Sequence, residues 1–166
     1  MKRNSEGKQP KETDAIKKRL EHYSTYQRRI DNQIERLETL EATMGSVSSP
    51  RFDGMPGSSD GTSKTERQVL RKMELEQKIR DMIEAEARER KALEALISLM
   101  EKPDEQTVIE MRYLDGAKWW TVSAAIHGGL DDYDEHEKRY LKRTFKLHGS
   151  ALQSLARISK EKTDQE

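Results

Sequence analysis

Residues 16–44 read IKKRLEHYSTYQRRIDNQIERLETLEATM, and their spacing decides how the rest of the chain is read. Ile16, Leu20, Tyr23, Gln27, Ile30, Ile34, Leu37, Glu41 and Met44 recur at intervals of three and four, and seven of these nine are apolar or aromatic. Side chains three and four apart share one face of an α-helix, so the pattern predicts an amphipathic helix from about Thr13 to Met44. Neither Pro nor Gly interrupts residues 12–44. At about 1.5 Å per residue that stretch is a rod of roughly 50 Å. Its flanks carry Lys17, Lys18, Arg19, Arg28, Arg29, Glu35, Arg36 and Glu38, a mixture of charges that belongs in water.

On either side of the rod the sequence changes character. Residues 1–11 are polar and read as a disordered tail. Gly45 suits a helix C-cap, and residues 45–62, GSVSSPRFDGMPGSSDGT, hold eleven Gly, Ser or Pro among eighteen, the composition of a flexible loop. Ser63-Lys64-Thr65-Glu66 then fits the capping box that satisfies helix N-terminal amides reciprocally. A second long helix is predicted to about Glu101, with Val69, Met73, Ile79, Met82, Ile83, Leu93, Leu96, Ile97 and Met100 apolar and Glu84–Lys91 almost wholly charged. Two such helices joined by a loop predict an antiparallel, coiled-coil-like hairpin over residues 12–102. Its spare apolar stripe is expected to pair with a second copy or with the C-terminal unit.

Composition narrows the function classes. Lys+Arg and Asp+Glu are equal at 31, hydrophobic residues are 33% and charged residues 37% of 166. Average domains carry roughly 45–50% apolar and about 25% charged residues, so a large single core is excluded, and no apolar run approaches the roughly 18 residues of a membrane span. The start, Met1-Lys2-Arg3-Asn4-Ser5-Glu6, does not read as a secretory signal, and the absence of Cys removes disulfides and thiolate metal sites. A reducing cytoplasm is the expected home. Zero net charge conceals an asymmetry. Asp131, Asp132, Asp134, Glu135 and Glu137 precede a run in which Lys138, Arg139, Lys142, Arg143 and Lys146 meet no acid through residue 146.

Pro103 marks a boundary, and residues 103–158 hold six of the nine aromatics. Three helices are predicted there: Asp104–Leu114, with Val108, Ile109 and Met111 facing in; Lys118–His127, ended by Gly128-Gly129; and one from near Asp134 through Ile158, leaving 159–166 as a polar tail. Val122-Ser123-Ala124-Ala125-Ile126 allows close helix approach. Leu141, Phe145, His148, Leu152 and Leu155 form the expected packing stripe of the third helix. Arg139, Lys142, Arg143 and Lys146 occupy a different face, and Asp132 and Asp134 are N-cap candidates. These are the elements of a helix-turn-helix. The whole chain is therefore expected to be all-α: a long antiparallel helical hairpin followed by a C-terminal three-helix helix-turn-helix unit.

The motif Met111–Gly116 (MRYLDG), the short helix ending at Ile126 and the stretch Arg143–Leu155 (RTFKLHGSALQSL) together resemble the C-terminal region of ArpU/RinA-type phage transcriptional regulators, whose helix-turn-helix is similar to region 4 of sigma factors. Arg112-Tyr113, Gly116, Val122-Ser123, Ile126 and Leu147-His148-Gly149-Ser150-Ala151-Leu152 stand at the places of that pattern. Ser49-Pro50 and Gly54-Met55-Pro56 stand in the loop between two long helices. The sequence departs from the family in the acidic excursion 129–137 and in the paired Trp119-Trp120. The resemblance implies a positive regulator of late phage or prophage genes that acts at a promoter and touches RNA polymerase.

The residue reading and the resemblance converge on sequence-specific binding of double-stranded DNA by a helix from about Glu135 to His148. Lys138, Arg139, Tyr140, Lys142, Arg143, Thr144 and Lys146 are the expected contacts, and the hairpin is expected to make a homodimer. Arg forks and Lys ammoniums suit phosphates and guanine edges. His148 is read as a satisfied core or capping histidine and not a ligand. His22, His127 and His136 lack metal-ligand spacing, and no phosphate loop or nucleophile elbow occurs, so no metal, cofactor, small-molecule substrate, membrane or enzymatic activity is expected. The alternatives are a coiled-coil protein–protein adaptor and a small-terminase-like DNA-packaging subunit.

Overall fold

The computed structural model describes residues 12–45 and 63–164, and over them the protein is all-α without a strand. The helices are α1 Asp14–Ser24, α2 Tyr26–Gly45, α3 Lys64–Ile97, α4 Pro103–Ile109, α5 Trp119–His127 and α6 Glu137–Thr163. The expected tail 1–11 and most of the expected loop, residues 46–62, lie outside the described residues.

The continuous rod expected over 13–44 is interrupted at Thr25. Ser24 Oγ donates to Glu21 O at 2.8 Å and Thr25 Oγ1 to His22 O at 2.9 Å, so two adjacent hydroxyls engage carbonyls at the end of α1. The capping box forms as predicted: Ser63 N–H donates to Glu66 Oε2 at 2.8 Å, and Glu66 N–H to Ser63 Oγ at 3.1 Å. Pro103 occupies the first turn of α4, where its missing N–H costs nothing. Beyond α4 the chain widens into a π-helical turn, Glu110–Leu114, closed by Asp115 N–H to Glu110 O at 3.0 Å. Gly116 then reverses the chain at φ +68°, a left-handed conformation that favours glycine.

Two compact units result, one comprising the chain up to Thr25 and from Glu89 onward, the other Tyr26–Arg88. The division expected at 102/103 is thus displaced, for a physical reason. The 56 residues of the three-helix segment bury only a marginal core by themselves, and neighbouring helices enlarge it. α1 contributes Ile16, Leu20 and Tyr23, and the end of α3 with its following turn contributes Leu93, Leu96, Ile97 and Met100, to a core shared with Val108, Ile109, Tyr113, Val122, Ala151, Leu152 and Leu155. Each buried Leu or Ile stabilises by about 1.5–3 kcal/mol.

In the other unit, Lys72 Nζ meets Glu41 Oε1 at 2.8 Å, which joins α2 to the front of α3, and Ile30 and Ile79 are buried. Much of the expected seam is open: Ile34, Val69, Met73 and Ile83 are 36–58% exposed, and Leu70, outside that seam, is exposed as well. At the other end of the chain, α6 continues to Thr163 through most of the expected polar tail. Among the described residues no helix is long and apolar enough to cross a membrane.

Candidate nucleic-acid interface

The placement of α6 begins with a residue that the hydrophobic pattern did not single out. Glu105 of α4 is 2% exposed, and its carboxylate accepts hydrogen bonds from Ser150 Oγ and from Ser154 Oγ, the latter at 2.8 Å. Ser150 and Ser154 lie one helical turn apart, so one carboxylate bridges them and ties α6 to α4. Lys102 Nζ stands 3.3 Å from the same carboxylate. Burial pushes the Glu105 pKa up, but the two hydroxyls and Lys102 outweigh it and hold the carboxyl below its usual range.

The inward face of α6 is Tyr140, Thr144, Ala151, Leu152 and Leu155, which corrects the expected stripe in its first half. Leu141 is half-buried and Phe145 is 44% exposed. Thr144 is fully buried and its hydroxyl donates to Tyr140 O at 3.0 Å. Tyr140 is 4% exposed and its hydroxyl donates to Asp132 Oδ1. Tyr140 and Thr144, expected as DNA contacts, are therefore anchors of the helix and not part of its outer face. His148 is half-buried at the edge of the core and has partners there. Its Nε2 lies 2.9 Å from Tyr113 Oη, and its ring meets Trp119 edge-on at 4.9 Å.

The nine residues between α5 and α6, Gly128–His136, form successive turns, and α6 begins at Glu137 instead of near Asp134. Asp132 and Asp134 do not cap it. His136 occupies the N-cap position without a side-chain cap bond, and Asp132 is engaged by Tyr140. This excursion is pinned by aromatic packing: the Tyr133 and His127 rings lie 5.6 and 5.2 Å from that of Tyr140. The hydrogen bond from Tyr140 draws the Asp132 carboxyl below its ordinary range and raises the Tyr140 phenol.

Lys138, Arg139, Lys142, Arg143 and Lys146 are all exposed, and among the described residues none of them makes an ion pair. They are set within about two and a half helical turns. The Arg143 guanidinium stacks over the Tyr140 ring at 5.0 Å. Burial first, then the charge of Arg143, keeps His127 below the usual histidine range, with Asp104 acting the other way. Exposed Arg157 was missed; it follows Arg139 by eighteen residues, five helical turns, and so extends the same face. That interval was readable from the sequence. The Glu105 and Asp132 anchors were not, because a carboxylate's partner on another element leaves no periodic trace.

Trp119 packs edge-on to Phe145 at 5.0 Å and carries Arg112 over its ring at 4.9 Å, whereas Trp120 is 48% exposed. Adjacent helical residues diverge by about 100°, so only one of the pair can face α6. Among the described residues no cluster of three or more His, Asp or Glu side chains could hold a metal ion. Comparison of the chain with protein-family models, curated proteins and solved structures found no match.

Proposed function

We propose that this protein is a non-catalytic, sequence-specific DNA-binding regulator of the phage or prophage type that its sequence resembles, working in the cytoplasm and reading duplex DNA with the front of α6. The observation that carries this reading is the set of five exposed cations on one helix with no carboxylate partner among the described residues. An ordinary solvated helix face mixes signs, as Lys72 with Glu76 and Arg88 with Glu84 do on α3. Five cations left unpaired repel one another, and a phosphate-lined groove relieves that repulsion. Glu105, Tyr140 and Thr144 hold the helix from behind and leave the cationic face open.

The partner copy would bind the hairpin unit. Ile34, Val69, Leu70, Met73 and Ile83 leave it an apolar surface. Residues 26–88 carry twelve acids and eleven bases, so like-charge repulsion does not oppose self-association. Contact with RNA polymerase is the further step that the sigma-like resemblance suggests.

Selection from random duplexes with the full chain, followed by affinity measurements across ionic strength, tests the proposal. Recovery of a common motif is expected, with log affinity falling against log salt by roughly 0.9 per phosphate neutralised. Affinity independent of salt, with no motif, rejects it. Mass measurement in solution separates the rivals: a dimer fits the regulator, a ring of eight or more subunits fits a packaging subunit, and a monomer indifferent to DNA fits a protein adaptor.

A further inference from the structure

The five cations are not equivalent. Lys138, Lys142 and Lys146 present compact, freely rotating ammonium charges, suited to phosphates. Arg139 and Arg143 present planar forks, and of the two Arg143 lies over an aromatic ring. That ring belongs to Tyr140, which is 4% exposed and held by its hydroxyl on Asp132 and by the flanking rings of Tyr133 and His127. The platform is thus fixed by the acidic excursion that separates α5 from α6 together with the last residue of α5.

Resting on the DNA-binding reading, we propose that Arg143 is the base-reading side chain and that Asp132 and Tyr140 are its positioning residues. The guanidinium, stacked on one face by Tyr140, keeps its edge free to donate two parallel hydrogen bonds to O6 and N7 of a guanine in the major groove. Stacking restricts the rotamers that a long side chain otherwise loses on binding, so more of the hydrogen-bond energy appears as discrimination between bases. The excursion is a support for one arginine, and its carboxylates are not themselves DNA contacts.

The test is duplex selection with the full chain and with Arg143→Lys, Tyr140→Phe and Tyr140→Leu, each checked for helicity by circular dichroism and for salt dependence. The wild type should prefer guanine at one position of its site. Arg143→Lys keeps the charge and removes the fork, so the salt slope stays while the preference at that position falls about 10- to 100-fold. Tyr140→Leu should erase the same preference with the same slope, and Tyr140→Phe, which keeps the ring but frees it from Asp132, should weaken it less. Should Tyr140→Leu fail to fold, Arg143→Lys and Tyr140→Phe decide. Undiminished guanine preference in Arg143→Lys, or in both folded Tyr140 variants, overturns the inference. A wild type that binds in a salt-dependent way without base preference overturns the assignment of Arg143 but leaves the phosphate-binding face standing. A wild type with neither property overturns the DNA-binding reading and this inference together.

Discussion

The unit built from α1, the end of α3 and α4–α6, and the unit spanning residues 26–88, use the same kind of amphipathic helix with opposite outcomes. In the first, apolar stripes from several elements converge, and Leu20, Leu93, Ile97, Val108, Ile109, Val122 and Leu155 are fully buried. In the second, Lys72 on Glu41 joins the two helices and Ile30 and Ile79 are buried, but Ile83, on the same helix as Leu93, remains 47% exposed. A helix buries only the flank that another element covers, and two helices cover little of each other. The polar groups follow suit. The first unit holds a buried carboxylate, Glu105, with its partners in place, whereas the described ion pairs of the second range from about a third to three-quarters exposed and are of small worth.

Substitutions on either side of this divide should behave differently. Leu93→Ala, at a site with no exposure, is expected to cost about 2–5 kcal/mol, read by chemical denaturation. A cost below about 1 kcal/mol would mean that the end of α3 does not belong to the core. Glu105→Ala leaves Ser150 and Ser154 without their acceptor and should destabilise the same unit by roughly 2–4 kcal/mol, with hydrogen exchange accelerated in α4 and α6 but not in α2. Neutralising the outer face of α6 by Arg143→Gln with Lys146→Gln should leave helicity intact and weaken DNA binding about a hundredfold or more at low salt, flattening the salt slope by about one for the phosphate contact of Lys146. Equal affinity in the double variant would refute the assignment of α6.

Acid should act on the first unit before the second. His148 is held below its ordinary value of 6.5 by burial first and then by Lys17 and Arg112, with Glu21 opposing. The unfolded chain therefore takes up a proton before the folded one does. This stabilisation is complete above pH 6.5 and is lost as the pH falls from there through the folded value. His127, also lowered, works in the same direction. Melting curves from pH 8 to 5 should show a decline that His148→Gln reduces and does not abolish. The smallest effect is expected at Ile83→Ala, within about 0.5 kcal/mol for the monomer. If the unit spanning residues 26–88 self-associates through this face, the same change weakens the dimer in sedimentation.

Periodicity made the all-α fold, the capping box at Ser63 and Glu66, the start of α4, the approximate bounds of α5 and the cationic face of α6 legible, because each depends on neighbours within a turn or two of the same helix. The helix expected over Asp104–Leu114 instead ends as α4 at Ile109 and continues as a π-helical turn. The break at Thr25, the membership of α1 in the C-terminal core, the burial of Tyr140 and Thr144 and the start of α6 at Glu137 were decided by contacts between elements distant in the chain. Tyr140 reads locally as one more residue of a basic helix, and only the return of Asp132, Tyr133 and His127 against it makes it an anchor. The amino-acid order by itself determined which helices form and where their charges lie. Tertiary packing alone decided which of their faces water still reaches, since burial depends on what arrives from elsewhere to cover them.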